Sequence, residues 1–174
     1  MPRTLLIALL LTVTLVSADE PAPLKYADYF DVPKGLVRTY AQGGGKVRVE
    51  VTDKQTKDGV TTITCAVQNG DETGVMHEKV TEDSFWRGHD DEGYTLFKGP
   101  LKLDAVHTPE EGVTIKLVSI STKRKVGDKE YDCIVLHAMP FNAKIYFAKG
   151  IGMVASVSIK DDIEIPIAIL EKVE

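Results

Sequence analysis

Histidines and carboxylates are the side chains of this sequence that could perform acid–base chemistry. Four histidines occur among the 174 residues, at His77, His89, His107 and His137. None stands four residues from another on a predicted helix, and none has a cysteine or glutamate at the spacing of a zinc site. A hydrolase would need folding to bring one of these imidazoles to a carboxylate. The sequence therefore keeps a His/carboxylate hydrolase as an alternative and predicts no metal, no cofactor and no catalytic residue.

The acidic residues gather in short groups beside turn residues. These groups are Asp90-Asp91-Glu92, Glu110-Glu111 and Asp161-Asp162. They lack the alternating spacing that arranges several carboxylate oxygens around one calcium ion. We therefore interpret them as solvated hairpin tips.

The overall charge excludes one class of partner. The chain has 21 basic and 26 acidic residues, and its net charge at pH 7 is −5. Nucleic-acid binding needs a basic patch or stripe. The basic run Lys123-Arg124-Lys125 leads into a turn, as a solvated loop does. We therefore expect no nucleic-acid partner.

Cys65 and Cys133 are the two cysteines of the chain, and both lie in strand-like runs. They form no Cys-x-x-Cys motif, which argues against a zinc site or a redox pair. Export would make a disulfide chemically available, but a bridge needs Cα atoms about 4.4–6.8 Å apart. The alternative is two small buried hydrophobic residues with unreactive thiols.

Three aromatic residues are candidates for a pocket wall. Trp86 lies in one strand-like run, and Tyr94 and Phe97 follow in the next. Facing positions on a curved sheet can enclose a ligand on the concave side. A cross-strand core cluster is the alternative explanation for aromatic residues at this spacing.

The first 18 residues have the three regions of a secretory signal peptide. Arg3 supplies the positive charge, Leu5–Val16 the apolar region, and Val16-Ser17-Ala18 the cleavage site. The apolar region is shorter than the roughly 20 residues that a transmembrane helix needs, so no transmembrane segment is expected in the mature chain. We predict an exported protein, periplasmic or extracellular.

Residues 19–35 are predicted to be a lead-in with one short helix within Leu24–Phe30. Pro33 ends this helix, because proline cannot continue the hydrogen-bond ladder. Residues 36–174 alternate apolar and polar side chains with a period of two. This alternation predicts an antiparallel β domain whose strands have one buried and one solvated face. The clearest apolar sets are Val47-Val49-Val51, Ile63-Cys65-Val67, Val113-Ile115-Leu117 and Ile163-Ile165-Ile167-Ile169.

Glycine, asparagine and aspartate turn signals separate these runs at short intervals. They predict a mainly β, single-domain fold: a curved antiparallel meander of about ten strands, shaped as a half-barrel or open barrel. The longest predicted connection is 105–111. Pro166 has no N–H group, so the last strand is predicted to be an edge strand or to carry a bulge.

Two stretches at opposite ends of the chain carry a family resemblance. They are Tyr29–Tyr40 and Tyr146–Val154, the latter followed by a strand that ends Ile169-Leu170-Glu171. On these stretches the chain resembles the TapB-like group of exported bacterial domains of unknown function. That group begins with a Tyr-Phe-Pro-Leu-x-x-Gly-x-x-Trp/Tyr phrase and ends with an aromatic-x-Ala-x-Gly-Val-Gly-Leu-Val phrase. Here Asp31-Val32-Pro33 replaces Pro-Leu, and Tyr40 takes the place of the usual Trp.

The TapB-like group is distantly similar to the lipoprotein-carrier superfamily, whose curved antiparallel sheets hold acyl chains. The resemblance implies a lipid or another hydrophobic ligand, and it assigns no residue to that ligand. A lipocalin-like barrel is a rival interpretation. Lipocalins have a Gly-x-Trp phrase in the first strand, whereas the single Trp of this chain is Trp86.

Together these observations favour an exported, non-enzymatic β-domain that binds a partner or serves as a scaffold in the cell envelope. A carrier of a lipid or other hydrophobic ligand is the second form of this hypothesis. The expected partners are a hydrophobic small molecule or an envelope protein. An exposed edge at Ile163–Glu171 would offer such a protein a site for strand pairing.

Overall fold

The computed structural model describes residues 23–89 and 92–174, so the predicted signal peptide 1–18 lies outside the described residues. The described chain forms one helix and 12 strands. Their bounds are α1 (Tyr26–Phe30), β1 (Val37–Gln42), β2 (Gly45–Lys57), β3 (Val60–Asn69), β4 (Glu72–Val80), β5 (Ser84–His89), β6 (Glu92–Lys98), β7 (Val106–Glu110), β8 (Val113–Val126), β9 (Lys129–Met139), β10 (Ala143–Ala148), β11 (Gly152–Lys160) and β12 (Ile163–Val173).

The strands form one antiparallel sheet that is nearly closed and barrel-like. Except for β6 and β7, strands that are consecutive in sequence pair with each other, and β1 pairs with β12, so the order is β6-β5-β4-β3-β2-β1-β12-β11-β10-β9-β8-β7. Among the described residues β6 and β7 share no backbone ladder, and we call the gap between them the seam. The predicted mainly β single domain, with its curved antiparallel sheet and one short helix, is confirmed.

The predicted number of about ten strands is lower than the 12 observed. One of the strands that the prediction missed lies within residues 105–111. This segment was predicted to be the longest connection, but Val106–Glu110 forms β7. The strand is hard to recognise because it contains Pro109 and no apolar alternation. Its ladder with β8 is also irregular between His107 and Glu110.

Helix α1 closes one end of the sheet, which we call the lower end. Tyr26, Tyr29 and Phe30 are buried from one face of the helix, and Phe30 stacks on Phe85 with ring centroids 4.3 Å apart. Phe147 meets Phe30 edge-on, with centroids 4.8 Å apart. The Tyr26 hydroxyl donates to the Gly99 carbonyl oxygen at 2.9 Å. The helix therefore acts as an aromatic plug.

The opposite end, the upper end, has no such plug among the described residues. Consecutive strands run in opposite directions, so every second hairpin turn lies at this end. Among the described residues these turns join β1 to β2, β3 to β4, β7 to β8, β9 to β10, and β11 to β12.

The predicted alternation describes most strands correctly. On β2, Val47, Val49 and Val51 face the core. On β12 the alternation predicts buried isoleucines, but three of them are exposed. Ile163 is 65% exposed, and Ile165 and Ile167 are also exposed. The reason is that β1 pairs only with Ala168–Val173, so the first half of β12 extends beyond the covered part of the sheet.

The two alternatives for Pro166 each describe part of β12. The ladder with β11 shifts register between Ser156 and Val157, where Val157 faces Pro166, so the strand carries the predicted irregularity. Ala168 and Ile169 pair with both β1 and β11, and the rest of the strand up to Val173 pairs with β1. Residues 163–166 pair with β11 alone, so within the predicted edge Ile163–Glu171 this half is the part left unpaired on the β1 side.

Candidate functional site

An apolar cavity of about 410 Å³ lies at the upper end of the sheet, beside the seam. It is bounded by β6 and β7 on the two sides of the seam, by β8, β9 and β10, and by the turn between β9 and β10. Its lining residues are Tyr94, Leu96, Pro109, Glu110, Val113, Ile115, Ala138, Phe141, Ala143 and Ile145. This volume is in the range of small-molecule sites, about 300–1,000 Å³.

The cavity wall arises from strand alternation. Ile115 pairs with Ala138, and Ala138 pairs with Ala143, and directly paired residues of antiparallel strands point to the same face. The same relationship runs from Ala143 through Ser158 to Ile165, which extends the apolar surface to the rim. Phe141 stands at this rim and is 65% exposed.

Charged side chains also face the interior of the sheet. The Glu78 carboxylate accepts two hydrogen bonds from Arg87, from Nε at 3.0 Å and from Nη2 at 2.5 Å. Arg87 pairs with Glu78 on β4 and with Tyr94 on β6, so these three side chains share one face. The ion pair therefore lies beside a residue of the cavity wall.

Arg38 is a second buried guanidinium, 1% exposed. Its Nη1 donates to the Ile151 carbonyl oxygen at 3.3 Å, and its Nη2 lies 4.0 Å from Cys65 Sγ. Its Nε has no hydrogen-bond partner, and no carboxylate in the described chain lies within ion-pair distance of it. Gly152, at φ +78°, leaves room for this group, because a Cβ there would lie 2.7 Å from Nη1.

We call Arg38, Tyr40, Cys65, Glu78 and Arg87 the polar layer. Burial raises the pKa of the Tyr40 phenol, whose hydroxyl donates to the Met153 carbonyl oxygen at 2.8 Å. Burial lowers the pKa of Arg87, but the neighbouring Glu78 carboxylate outweighs this effect and the net pKa is raised. Arg87 is therefore charged at neutral pH. With two guanidiniums and one carboxylate, the layer has an excess positive charge.

Of the three aromatic residues predicted for a pocket, the structure places Tyr94 in the cavity wall. Phe97 is fully buried and packs edge-on against His107. Trp86 pairs with Lys79 and Thr95, on the face opposite Arg87. There it covers Gly88 and lies under the Lys79 ammonium, 4.5 Å from the ring centroid. Trp86 and Phe97 therefore serve packing.

The two cysteines are free and buried, so no disulfide joins Cys65 to Cys133. Cys65 is on β3 and Cys133 is on β9, and each side chain fills a position in the core. Burial raises the pKa of each thiol to about 11. The interpretation as unreactive buried thiols describes them both.

The four histidines contact hydroxyl, amide and backbone carbonyl oxygens. His77 Nδ1 lies 3.3 Å from Thr64 Oγ1, and His137 Nε2 lies 3.0 Å from Asn142 Oδ1. The rings of His89 and His107 contact backbone carbonyl oxygens. Over residues 23–89 and 92–174, no imidazole has a carboxylate partner and no group of three ligand-type residues could hold a metal.

The sequence analysis did not predict the polar layer. The sequence carried only a weak signal. Arg38 lies two residues from Tyr40 on β1, and Glu78 lies two residues from Val80 on β4, so each charged side chain shares a strand face with a core residue. A single charge at an inward position is indistinguishable from a register error when only the sequence is known.

Comparisons with known proteins support the fold alone. No protein-family model and no curated protein matches the sequence. A crystal structure from Bacteroides fragilis NCTC 9343, described as a "putative exported protein with YmcC-like fold", is similar, with a TM-score of 0.59. The similarity covers 84% of this chain and 98% of that chain, and the sequences are 11% identical. The resemblance to the TapB-like group and to lipoprotein carriers stays a hypothesis.

The described residues contain no helix that is both long enough and apolar enough to cross a membrane.

Proposed function

We propose that this chain is an exported, non-enzymatic binding protein that holds a hydrophobic small molecule in its upper cavity. The observation that carries the proposal is the cavity itself, because its wall is mostly aliphatic and aromatic and opens to solvent. Burying an apolar ligand there removes apolar surface of both molecules from water, which favours binding by roughly 25 cal/mol per Å² before the costs of association. The signal-like residues 1–18 support export.

The closed lower end supports the same proposal. The aromatic plug around Phe30 fills the interior there, so a ligand has access from the upper end or through the seam. Along the seam, β6 and β7 can separate without the loss of a backbone ladder.

Titration with the neutral apolar fluorophore N-phenylnaphthylamine tests the proposal. We expect saturable binding at one site, with the enhanced emission of an apolar environment. The variant Ala143→Phe fills the cavity from its wall and should abolish this binding. The matched control is Ala66→Phe, because Ala66 is also half-buried on a strand but points to the outer face opposite Glu50.

Equal binding by Ala143→Phe and the wild type would contradict the proposal. A smaller change, Ala143→Leu, serves if the larger side chain prevents folding. Native mass spectrometry of protein purified from its own cell envelope gives independent evidence, since a carrier should retain an adduct.

An envelope scaffold is a second candidate, and a specific observation favours it. Residues 163–166 pair with β11 alone, and the exposed Ile163, Ile165 and Ile167 lie along this half of the strand. An extended segment of an envelope protein could add to this edge as a further strand. Because Ile167 is exposed, Ile167→Lys should abolish such an assembly and leave the monomer folded. A His/carboxylate hydrolase is the alternative from the enzyme class, and no contact among the described histidines favours it.

A further inference from the structure

The ion pair of the polar layer does not use every hydrogen-bond donor of Arg87. Arg87 uses Nε and Nη2 for its hydrogen bonds to Glu78, and its Nη1 has no partner among the described residues. The Arg87 side chain is 21% exposed, although it points to the same interior face as Glu78, which is 2% exposed. Arg87 is directly paired with Tyr94 of the cavity wall. Arg87 does not itself line the cavity, but this pairing places its exposed part beside the cavity wall.

The polar layer also has more positive than negative charge. Arg38 has no carboxylate partner and an unsatisfied Nε, while Glu78 is used by Arg87. A buried charge without a counter-ion is unfavourable, because the interior solvates it poorly. An anion bound near the layer would reduce this excess positive charge.

We propose that the ligand is a single-chain amphiphile with an anionic head group, and that it enters the cavity head first. The head group accepts a hydrogen bond from Arg87 Nη1, and the alkyl chain lies along Ile115, Ala138 and Ile145 towards the rim. This inference rests on the proposed function, which it deepens by naming the class of ligand.

The upper end also carries negative charge, and its effect on a charged head group must be compared with that of Arg87. Glu72, Glu111, Asp161 and Asp162 lie in or beside the turns of the upper end, where they would attract a cationic head group. They are exposed, and salt screens such charges beyond about 8 Å at physiological ionic strength. Glu110 lines the cavity itself and repels an anionic head group at close range, so the head group lies deeper, at Arg87. There the guanidinium acts at short range in a medium of lower dielectric constant, where a charge-assisted hydrogen bond is stronger.

Competition between three ligands of one chain length tests the proposal on the full-length mature chain. Dodecanoate, dodecanol and dodecylamine each compete with N-phenylnaphthylamine at neutral pH and physiological salt. We expect dodecanoate to bind tightest, by roughly tenfold to a hundredfold over dodecanol. Equal affinities, or a preference for dodecylamine, would overturn the anionic head group and leave the proposed function intact. Absence of competition by all three would overturn both.

A pair of double variants locates the head group. The variant E78Q/R87Q removes both charges of the interior pair and keeps hydrogen-bonding groups, and it should reduce the preference for dodecanoate over dodecanol to about twofold or less. The matched control is R48Q/E50Q, which removes the exposed pair Arg48–Glu50 on the outer face of the sheet and should keep the full preference. A preference that persists in E78Q/R87Q would overturn the role of Arg87. If that variant does not fold, Arg87→Lys replaces it, since it keeps the charge and loses the Nη1 donor.

Discussion

His107 Nε2 lies 3.2 Å from the carbonyl oxygen of Thr95 and joins β7 to β6 across the seam. The carbonyl oxygen can only accept, so the imidazole donates this hydrogen bond. The same ring meets Phe97 edge-on, with centroids 6.1 Å apart. Because no backbone ladder spans the seam, this side chain is a principal contact that keeps β6 and β7 together.

The first prediction concerns His107→Ala. Loss of one hydrogen bond and one aromatic contact should lower the free energy of unfolding by about 1–2 kcal/mol. Amide hydrogen exchange in β6 and β7 should accelerate more than in β2 and β3, because the seam opens locally. The control is His137→Ala, which loses the contact with Asn142 in another hairpin. Similar exchange rates at the seam in both variants would show that His107 does not hold it.

The second prediction concerns the buried ion pair. Arg87→Met leaves the Glu78 carboxylate buried without its partner, so the free energy of unfolding should fall by about 3–5 kcal/mol. The double variant E78M/R87M should be much closer to the wild type, because neither charge is then left unpaired. Arg48→Met removes one partner of an exposed pair and should cost less than about 1 kcal/mol. Urea denaturation followed by Trp86 fluorescence measures all three.

The third prediction concerns the thiols. A pKa of about 11, against an ordinary value of 9.0, reduces the thiolate fraction of Cys65 and Cys133 at pH 8 by roughly a hundredfold. Iodoacetamide should therefore alkylate the native protein at least this much more slowly than the urea-unfolded protein. Mass spectrometry counts the adducts. Unfolded protein that reacts only after reduction would show that a disulfide is present, contrary to the structure.

The fourth prediction concerns pH. Burial raises the pKa of Glu164, but hydrogen bonds from the Tyr146 hydroxyl and from Arg124 Nη1, the latter at 2.6 Å, outweigh it and hold the pKa below its ordinary value of 4.5. A lowered pKa contributes stability that is present above the ordinary value and is lost as pH falls through the native value. The stability difference between wild type and Glu164→Gln should be constant near neutral pH and shrink below about pH 4.5. A difference that grows in acid would contradict this assignment.

The sheet was predictable from sequence because its strands obey a simple rule. Val47, Val49 and Val51 alternate with charged residues, and burial follows that alternation. The short helix before Pro33 was predictable for a similar reason, since its limits depend on local chemistry. These features arise within a few residues of chain.

What could not be predicted depends on contacts between distant strands. The isoleucines of β12 have a period of two in the sequence, but their exposure is set by the register shift opposite Val157 and by where β1 stops pairing. Arg38, Glu78 and Arg87 look like surface charges until the pairing places them inside. The seam and the cavity beside it likewise depend on how β6 and β7 are arranged. Local sequence patterns do not predict that arrangement.

The pairing of β1 with β12 has a kinetic consequence. The first and last strands of the domain are neighbours, so the sheet cannot be completed until the C-terminal residues have emerged and returned across the whole sequence. Contacts of such long sequence separation raise the contact order and slow folding, typically to milliseconds or longer. During that interval Val37–Gln42 presents an unsatisfied edge that invites pairing between molecules. We therefore expect a nascent chain that lacks β12 to aggregate, and the intact chain to depend on delayed folding until its synthesis is finished.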